Sequence, residues 1–408
     1  MTATPTPVRT LGVEEEFLLV HPADGTPVPY AGRVLERAEQ DRAADDRTVY
    51  KPELLTSQVE GASGVCTGLA ELGVQLANGR RALAGAAHAS GALLLPSATP
   101  PLSTGRVPTT RGERFEQITA LYADVVADYQ VCGCHVHVGI PDRDTAVAVV
   151  NHLRPWLPTL LALSVNSPYR YGRDTGYASR RMLEQRAFPG SGVPPVFPSA
   201  AAQEAEVARL VDCGVLADPQ MTFWLARPSL RFPTVEFRTA DAAATVDEAL
   251  LQAALSRALV HTALDDLTAG REAGRPTAGE HAVGEQVAAA AVWSAARYGL
   301  RGPAVDPWRG IPVPATSMVR TLLRRTRPAL EAAGDLGLVQ EVLARLAAVG
   351  TGAERQRAAG PDDPAAAVRA LAADALRPAA GAPSPADDQD TDPSAPAPVG
   401  ARGEEHPP

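Results

Sequence analysis

Between Leu11 and Val20 the chain reads LGVEEEFLLV, an apolar stretch holding three acids that ends at Pro22, Asp24 and Gly25. This pattern predicts a strand inside a sheet rather than a helix. Residues 132–140 and 234–239 alternate or run apolar with β-branched residues, and predict two more strands. Helical spacing covers about 68–89, 145–163, 279–297, 316–332 and 339–348. Thr110-Arg111-Gly112-Glu113 has the form of a capping box opening a helix to about residue 128, and Thr245-Val246-Asp247-Glu248 opens another to about residue 267. Strands and helices do not alternate regularly. The expected fold class is therefore α+β, a largely antiparallel sheet flanked by helices, rather than a doubly wound parallel sheet.

Composition adds boundaries. Residues 1–8 are rich in Thr and Pro, and residues 378–408 are mostly Pro, Ala, Asp, Gly and Ser, so both ends are expected to be disordered. Residues 9–377 remain as a single domain, and 45% hydrophobic content is enough for a sizeable core. A net charge of -9 without a basic block argues against nucleic acid or an anionic membrane as partner. The N-terminus lacks the basic and apolar segments of a leader, and no apolar stretch approaches the roughly 20 residues of a membrane span. Four cysteines are too few for a disulfide framework. A cytoplasmic protein with reduced thiols is expected.

Side chains two apart on a strand share a face. Glu14 and Glu16 are thus neighbours, with Glu15 opposite among Val13 and Phe17. Paired carboxylates repel unless neutralised, and magnesium takes such oxygen ligands together with phosphates; a solvated edge strand is the plainer alternative. Glu53 and Glu60, seven apart, share a face on a helix and are split on a straight strand, and the sequence does not decide between these. In Cys132-Gly133-Cys134-His135-Val136-His137-Val138 the histidines take one face and the cysteines the other. A regular strand cannot aim all four at one zinc ion, although a bulge would remove that objection. The His-x-His pair also fits a metal-dependent amidohydrolase, but the further histidines of such a site are missing. Thr234, Glu236 and Arg238 alternate onto one face, as an ordinary cross-strand ion pair or as part of a site. Arg227 and Arg231 add guanidinium groups suited to carboxylates and phosphates. Lys51 is the single lysine. No phosphate loop of the Gly-Lys-Ser/Thr type exists, so metals and arginines would have to hold any nucleotide phosphates.

Taken in order, these segments resemble the type 2 glutamate-cysteine ligase-like family of carboxylate-amine ligases. The resemblance lies in Leu11 to Phe17, in Glu53 to Glu60 closing on Cys66, and in Gly133 to Gly139. It continues through Leu163 to Tyr169, Arg227-Pro228-Ser229, Pro233 to Arg238 and Ala296 to Leu300, covering most of residues 10–350. Two features depart from the family pattern: Cys134, where a polar residue such as Gln can stand, and the long acidic, Pro-rich tail.

The resemblance implies a glutamine synthetase-like catalytic fold whose concave sheet face holds ATP and magnesium, with manganese as an alternative ion. It implies Glu14, Glu16, Glu53, Glu60, Glu236 and one of His135 or His137, with His137 preferred, as metal ligands. Arg238 and Arg231 would act on phosphate or the substrate carboxylate, and Arg227 with Arg238 would contact the nucleotide. The implied reaction passes through γ-glutamyl phosphate, with glutamate and an amine such as cysteine as substrates and a homodimer as a candidate assembly. An amidohydrolase, or a noncatalytic binding protein of the same fold, are the competing readings.

Overall fold

The structure is a computed structural model that describes residues 10–377, leaving out 43–45, 104, 272, 274–282 and 362. The two expected disordered ends, and residues 279–282 of an expected helix, lie outside the described residues. Seven strands form the central sheet: β1 (Leu11–Val20), β2 (Val49–Pro52), β3 (Gln58–Ala62), β4 (Leu93–Leu95), β5 (Gly133–Gly139), β6 (Ala226–Pro228) and β7 (Thr234–Asp241). Their order is β6-β7-β5-β1-β3-β2, with β4 also pairing β1. Every pairing is antiparallel. Helices flank this sheet, and the α+β expectation holds.

Strand parity divides β1 between two environments. Leu11, Val13, Phe17 and Leu19 are buried on the helix-covered face, against the Leu69–Ala89 helix and, for the first two, the Val246–Thr268 helix as well. Glu15 falls on that face too, where Arg80 of the Leu69–Ala89 helix donates to both its carboxylate oxygens, at 3.0 and 2.6 Å. Leu18 and Val20, of opposite parity, pack beneath Val368 and Leu371 of the Pro364–Ala375 helix. Glu14 and Glu16 share their parity but lie nearer the start of the strand, where they line a cavity instead.

Three helix expectations need correction. The proposed capping box does not form: the helix runs Glu113–Tyr122 after Gly112, with no side-chain cap. The Thr110 hydroxyl donates instead to the Glu53 carbonyl, and the Thr110 amide donates to that of Leu54 at 2.8 Å. Ala123, at φ 48°, then ends that helix before a single turn, Asp124–Ala127. The helix expected over 145–163 is two, Arg143–Leu153 and Leu157–Ser164, because Pro155 cannot continue the first. Thr245 does cap its helix, accepting from the Glu248 amide at 3.4 Å.

The expectation that no apolar stretch approaches the length of a membrane span also needs correction. Leu336–Ala359 is long and apolar enough by composition to cross a membrane. It is nevertheless two helices, Leu336–Val349 and Gly352–Ala359, parted at Gly350 (φ 86°) and Thr351. Val339, Val342 and Leu346 are buried in the main core.

Candidate active site

The open face of the sheet carries a continuous row of charged side chains, set by register. Glu14 sits opposite His135, Glu16 opposite Glu60, and His137 opposite Glu236. Lys51 on β2 lies opposite Glu60, and Arg227 on β6 opposite Glu236. All line one cavity of about 390 Å³, a size typical of small-molecule sites. Its far end is apolar: Phe188 meets Tyr129 edge-on at 4.8 Å and lies tilted against Phe223 at 4.6 Å.

Two donor groups stand out. Atoms of Glu14, His135 and Glu236 lie within 4.8 Å of one another, as do atoms of Glu16, Glu53 and Glu60. The pair left undecided by spacing, Glu53 and Glu60, belongs to neither a shared helix nor one strand. Glu60 is on β3, and Glu53 is in the loop after β2, tied down by Thr110. The β2–β3 hairpin folds them together.

Charge in the second group is poorly balanced. Burial, then the charges of Glu16 and Glu60, push the Glu53 carboxyl well above the usual carboxylate range. Burial and Glu14 raise Glu60 as well, although Lys51 Nζ lies 2.6 Å from its Oε1 and opposes the shift. In the first group burial works to raise Glu14, and is outweighed by the two imidazoles of His135 and His137 beside it, which hold it far below that range. Glu236 is likewise held low against burial by Arg227 and Arg238. Buried carboxylates in excess of their cations suit a hard divalent ion. His137 Nε2, buried and without a hydrogen-bond partner, is a further vacant donor.

The histidines differ in detail. His135 Nδ1 and His137 Nε2 are each 3.6 Å from Glu14 Oε2. His135 also places Nε2 3.7 Å from Glu16 Oε1, between the two groups. His137 Nδ1 is 2.9 Å from Thr234 Oγ1, and its ring stands edge-on to Phe232. His137 therefore borders one group and His135 both. Cys134 points away into the core beside Val136 and Val138, so the cavity holds no cysteine and histidine zinc set among the described residues.

The arginines divide by role. Arg238 Nη1 donates to Glu236 and lies 3.5 Å from His135 Nδ1, while its Nε has no partner. Arg227 is buried and its donors are engaged: Glu236 at 2.9 Å, and the Gln220 and Thr222 carbonyls at 2.8 and 2.9 Å. It holds Glu236 in place, and contact with a nucleotide needs one of those bonds to break. Arg231 is exposed at the cavity mouth and donates to Gln220 Oε1 at 3.0 Å.

A glutamate-cysteine ligase family 2 model matches residues 10–372. The chain belongs to that family. A Saccharopolyspora erythraea protein provisionally named glutamate-cysteine ligase 2-2 is 58% identical over 86% of this chain and 89% of its own length. A similarly named family 2 protein of Mycolicibacterium vanbaalenii is 46% identical over 87% and 94%. Among solved structures, the Francisella tularensis glutamate-cysteine ligase in complex with AMP is similar in fold, with a TM-score of 0.62 at 11% identity, covering 90% of this chain and 89% of that one. A bifunctional glutathione synthetase from Pasteurella multocida gives 0.64 at 14% identity, over 90% and 52%.

Sequence reasoning on this family 2 chain overlooked Lys51. The missing phosphate-loop motif points to metals and arginines as the phosphate holders, yet Lys51 reaches the cavity floor, 3.4 Å from Glu14 Oε1 as well as close to Glu60. Its alternation with Glu53 around Pro52 was the available signal. Gly133 is a second omission. A Cβ there would lie 2.6 Å from Arg181 Nη2 and 3.0 Å from His135 Nε2. Gly133→Ala is expected to destabilise the protein by about 1–3 kcal/mol, as overpacking does, and to lower turnover by displacing His135. Urea melts alongside steady-state rates check both effects.

Proposed function

We propose that this chain is an ATP-dependent ligase joining an amino-acid carboxylate to an amine, with glutamate and cysteine as the first pair to test. The observation that carries the reading is the meeting of five glutamates and two histidines from separate strands and a loop on one cavity floor beside Arg238. Family membership supports the same chemistry. A carboxylate oxygen attacks the γ-phosphorus of ATP and ADP leaves. The amine nitrogen then attacks the acyl carbon, phosphate leaves, and the nitrogen gives up a proton.

Glu14, His135 or His137, and Glu236 would hold one divalent ion, and Glu16, Glu53 and Glu60 another. Bound magnesium or manganese supplies charge neutralisation and polarises the phosphoryl oxygens. Arg238 meets substrate phosphate or carboxylate, and Arg231 at the mouth is a second contact. Lys51, near both Glu60 and Glu14, offsets part of their repulsion. The aromatic end, uncharged and offering π faces, suits a nucleobase.

Residues 9–377 act as one catalytic unit in this reading, and a homodimer is checked by light scattering. The free thiols, three of them buried, accord with a cytoplasmic setting. Neither competing reading gains support. Only two histidines line the cavity among the described residues, fewer than a histidine-based hydrolase needs, and the clustered acids would be unfavourable in a binding protein without a cation.

ADP release should require magnesium, the amino acid and the amine together. Amide hydrolysis without nucleotide, or nucleotide hydrolysis indifferent to the amino acid, would overturn the assignment. Magnesium should also raise the melting temperature, each site adding about 2.7 kcal/mol of stability when the free ion is about a hundred times its Kd. EDTA should reverse that shift, and no shift at millimolar magnesium counts against the two ion sites.

A further inference from the structure

The ladder between β7 and β5 slips between Phe237 and Ala240, so that Arg238 and Thr239 together stand against the single residue His135. Such a bulge disrupts the ladder locally and re-aims the side chains beside it. The Arg238 amide is taken by the Leu225 carbonyl at 2.8 Å. The carbonyls of Arg238 and Thr239 accept from one side chain, Arg181, whose Nη2 and Nη1 lie at 3.0 and 3.4 Å.

Arg181, on the Arg180–Gln185 helix, is 1% exposed, and its Nη1 lies 3.7 Å from Asp241 Oδ1. Asp241 is fixed in turn. Its Oδ1 accepts from the Ser179 hydroxyl at 2.8 Å, and its Oδ2 from the Asn166 amide at 2.9 Å and the Ser167 hydroxyl at 2.8 Å. A buried ion pair is a poor source of net stability. This one spends its guanidinium on the main chain of the strand segment that presents Glu236 and Arg238.

We propose that Arg181 is a positioning residue: braced by Asp241, it fixes the β7 bulge and thereby aims the Arg238 guanidinium at Glu236 and the cavity. The proposal rests on Arg238 meeting substrate anions, as assigned above. Arg181 also borders the cavity, and its Nε has no protein partner, so direct contact with a ligand is the rival role.

The test is a double-mutant cycle on the full chain with Arg181→Lys, Arg238→Gln and the pair. It reads kcat and KM with glutamate, cysteine and magnesium-ATP, and the Kd of ATP and of glutamate by calorimetry. A lysine ammonium cannot span two carbonyls and Asp241. Arg181→Lys alone should therefore lower kcat/KM by roughly 100-fold, the order of loss from an ångström of misplacement. In the Arg238→Gln background the same change should cost no more than about threefold, and whichever Kd Arg238→Gln shifts should show the same non-additivity.

Equal losses in both backgrounds overturn the proposal and assign Arg181 to the ligand or to the fold at large. If Arg238→Gln alone leaves catalysis and both Kd values intact, the anion role of Arg238 is what fails. Asp241→Asn, which weakens the brace without touching the cavity, repeats the cycle if Arg181→Lys does not fold; additive losses there likewise reject the proposal.

Discussion

Glu16→Gln is expected to lower ADP-forming turnover about a thousandfold, a loss of the size seen when one preorganised charge-stabilising group is removed, while raising the melting temperature of the metal-free protein. The two effects have one origin. Glu16 shares a donor group with Glu53 and Glu60, and after burial its charge is the largest cause of the raised Glu53 carboxyl. Taking that charge away relieves repulsion in the empty site and removes an ion ligand from the loaded one. Local structure should survive, because Glu16 Oε2 accepts from the Gly133 amide at 2.6 Å and a glutamine oxygen can accept the same bond. Rates are read beside melting curves with and without magnesium. Wild-type turnover would remove Glu16 from the chemistry. A lower metal-free melting temperature would mean that the carboxylate serves the fold rather than an ion.

Much of this floor was legible in the sequence because strand parity is a strong constraint. Residues 14 and 16, 135 and 137, and 234, 236 and 238 fall on the faces their alternation assigned, and antiparallel register then sets Glu14 against His135 and Glu236 against His137. The antiparallel α+β architecture followed from irregular alternation of strands and helices. What was not legible depends on contacts distant in sequence. Glu53 reaches the site through a loop pinned by Thr110, 57 residues away, and no local periodicity encodes that. The same contact explains the failed capping box: Thr110 has a tertiary partner, so its hydroxyl never turns to the helix. Lys51 was set aside by motif logic alone, although an edge-strand lysine opposite Glu60 needs no phosphate loop to reach a carboxylate. The bulge at Arg238 was invisible because a clean alternation does not reveal two residues opposing one.

Arg80→Met should destabilise the protein by about 3–5 kcal/mol, the usual result of stranding one member of a buried ion pair. Arg80 is 1% exposed and Glu15 3%. Besides gripping both Glu15 oxygens, Arg80 donates to the Ala243 and Ala244 carbonyls at 2.8 and 3.1 Å, tying β1 to the entry of the Val246–Thr268 helix. Methionine fills the space but leaves a buried carboxylate and two carbonyls without donors. The double variant Arg80→Met with Glu15→Leu should recover a large part of the loss, since a well-packed apolar pair often matches a buried ion pair in stability. Urea unfolding of the single and double variants gives both numbers, and a single-variant loss below about 1 kcal/mol would show that the pair is not shielded from water. The consequence reaches the cavity through the pleat. Glu15 stands between Glu14 and Glu16 on the opposite face, and a slip of one residue in β1 would turn both acids into the core and Glu15 into the site. The slip would set one of those acids before Arg80 and strand the other in the core without a cation, so the observed register is the one that buries a single, paired carboxylate. The double variant, with an apolar residue at 15 and no buried cation at 80 to receive a misplaced acid, should therefore keep the register and bind magnesium as the wild type does, which a magnesium titration checks; weaker binding would show that the ion pair itself holds the strand in place.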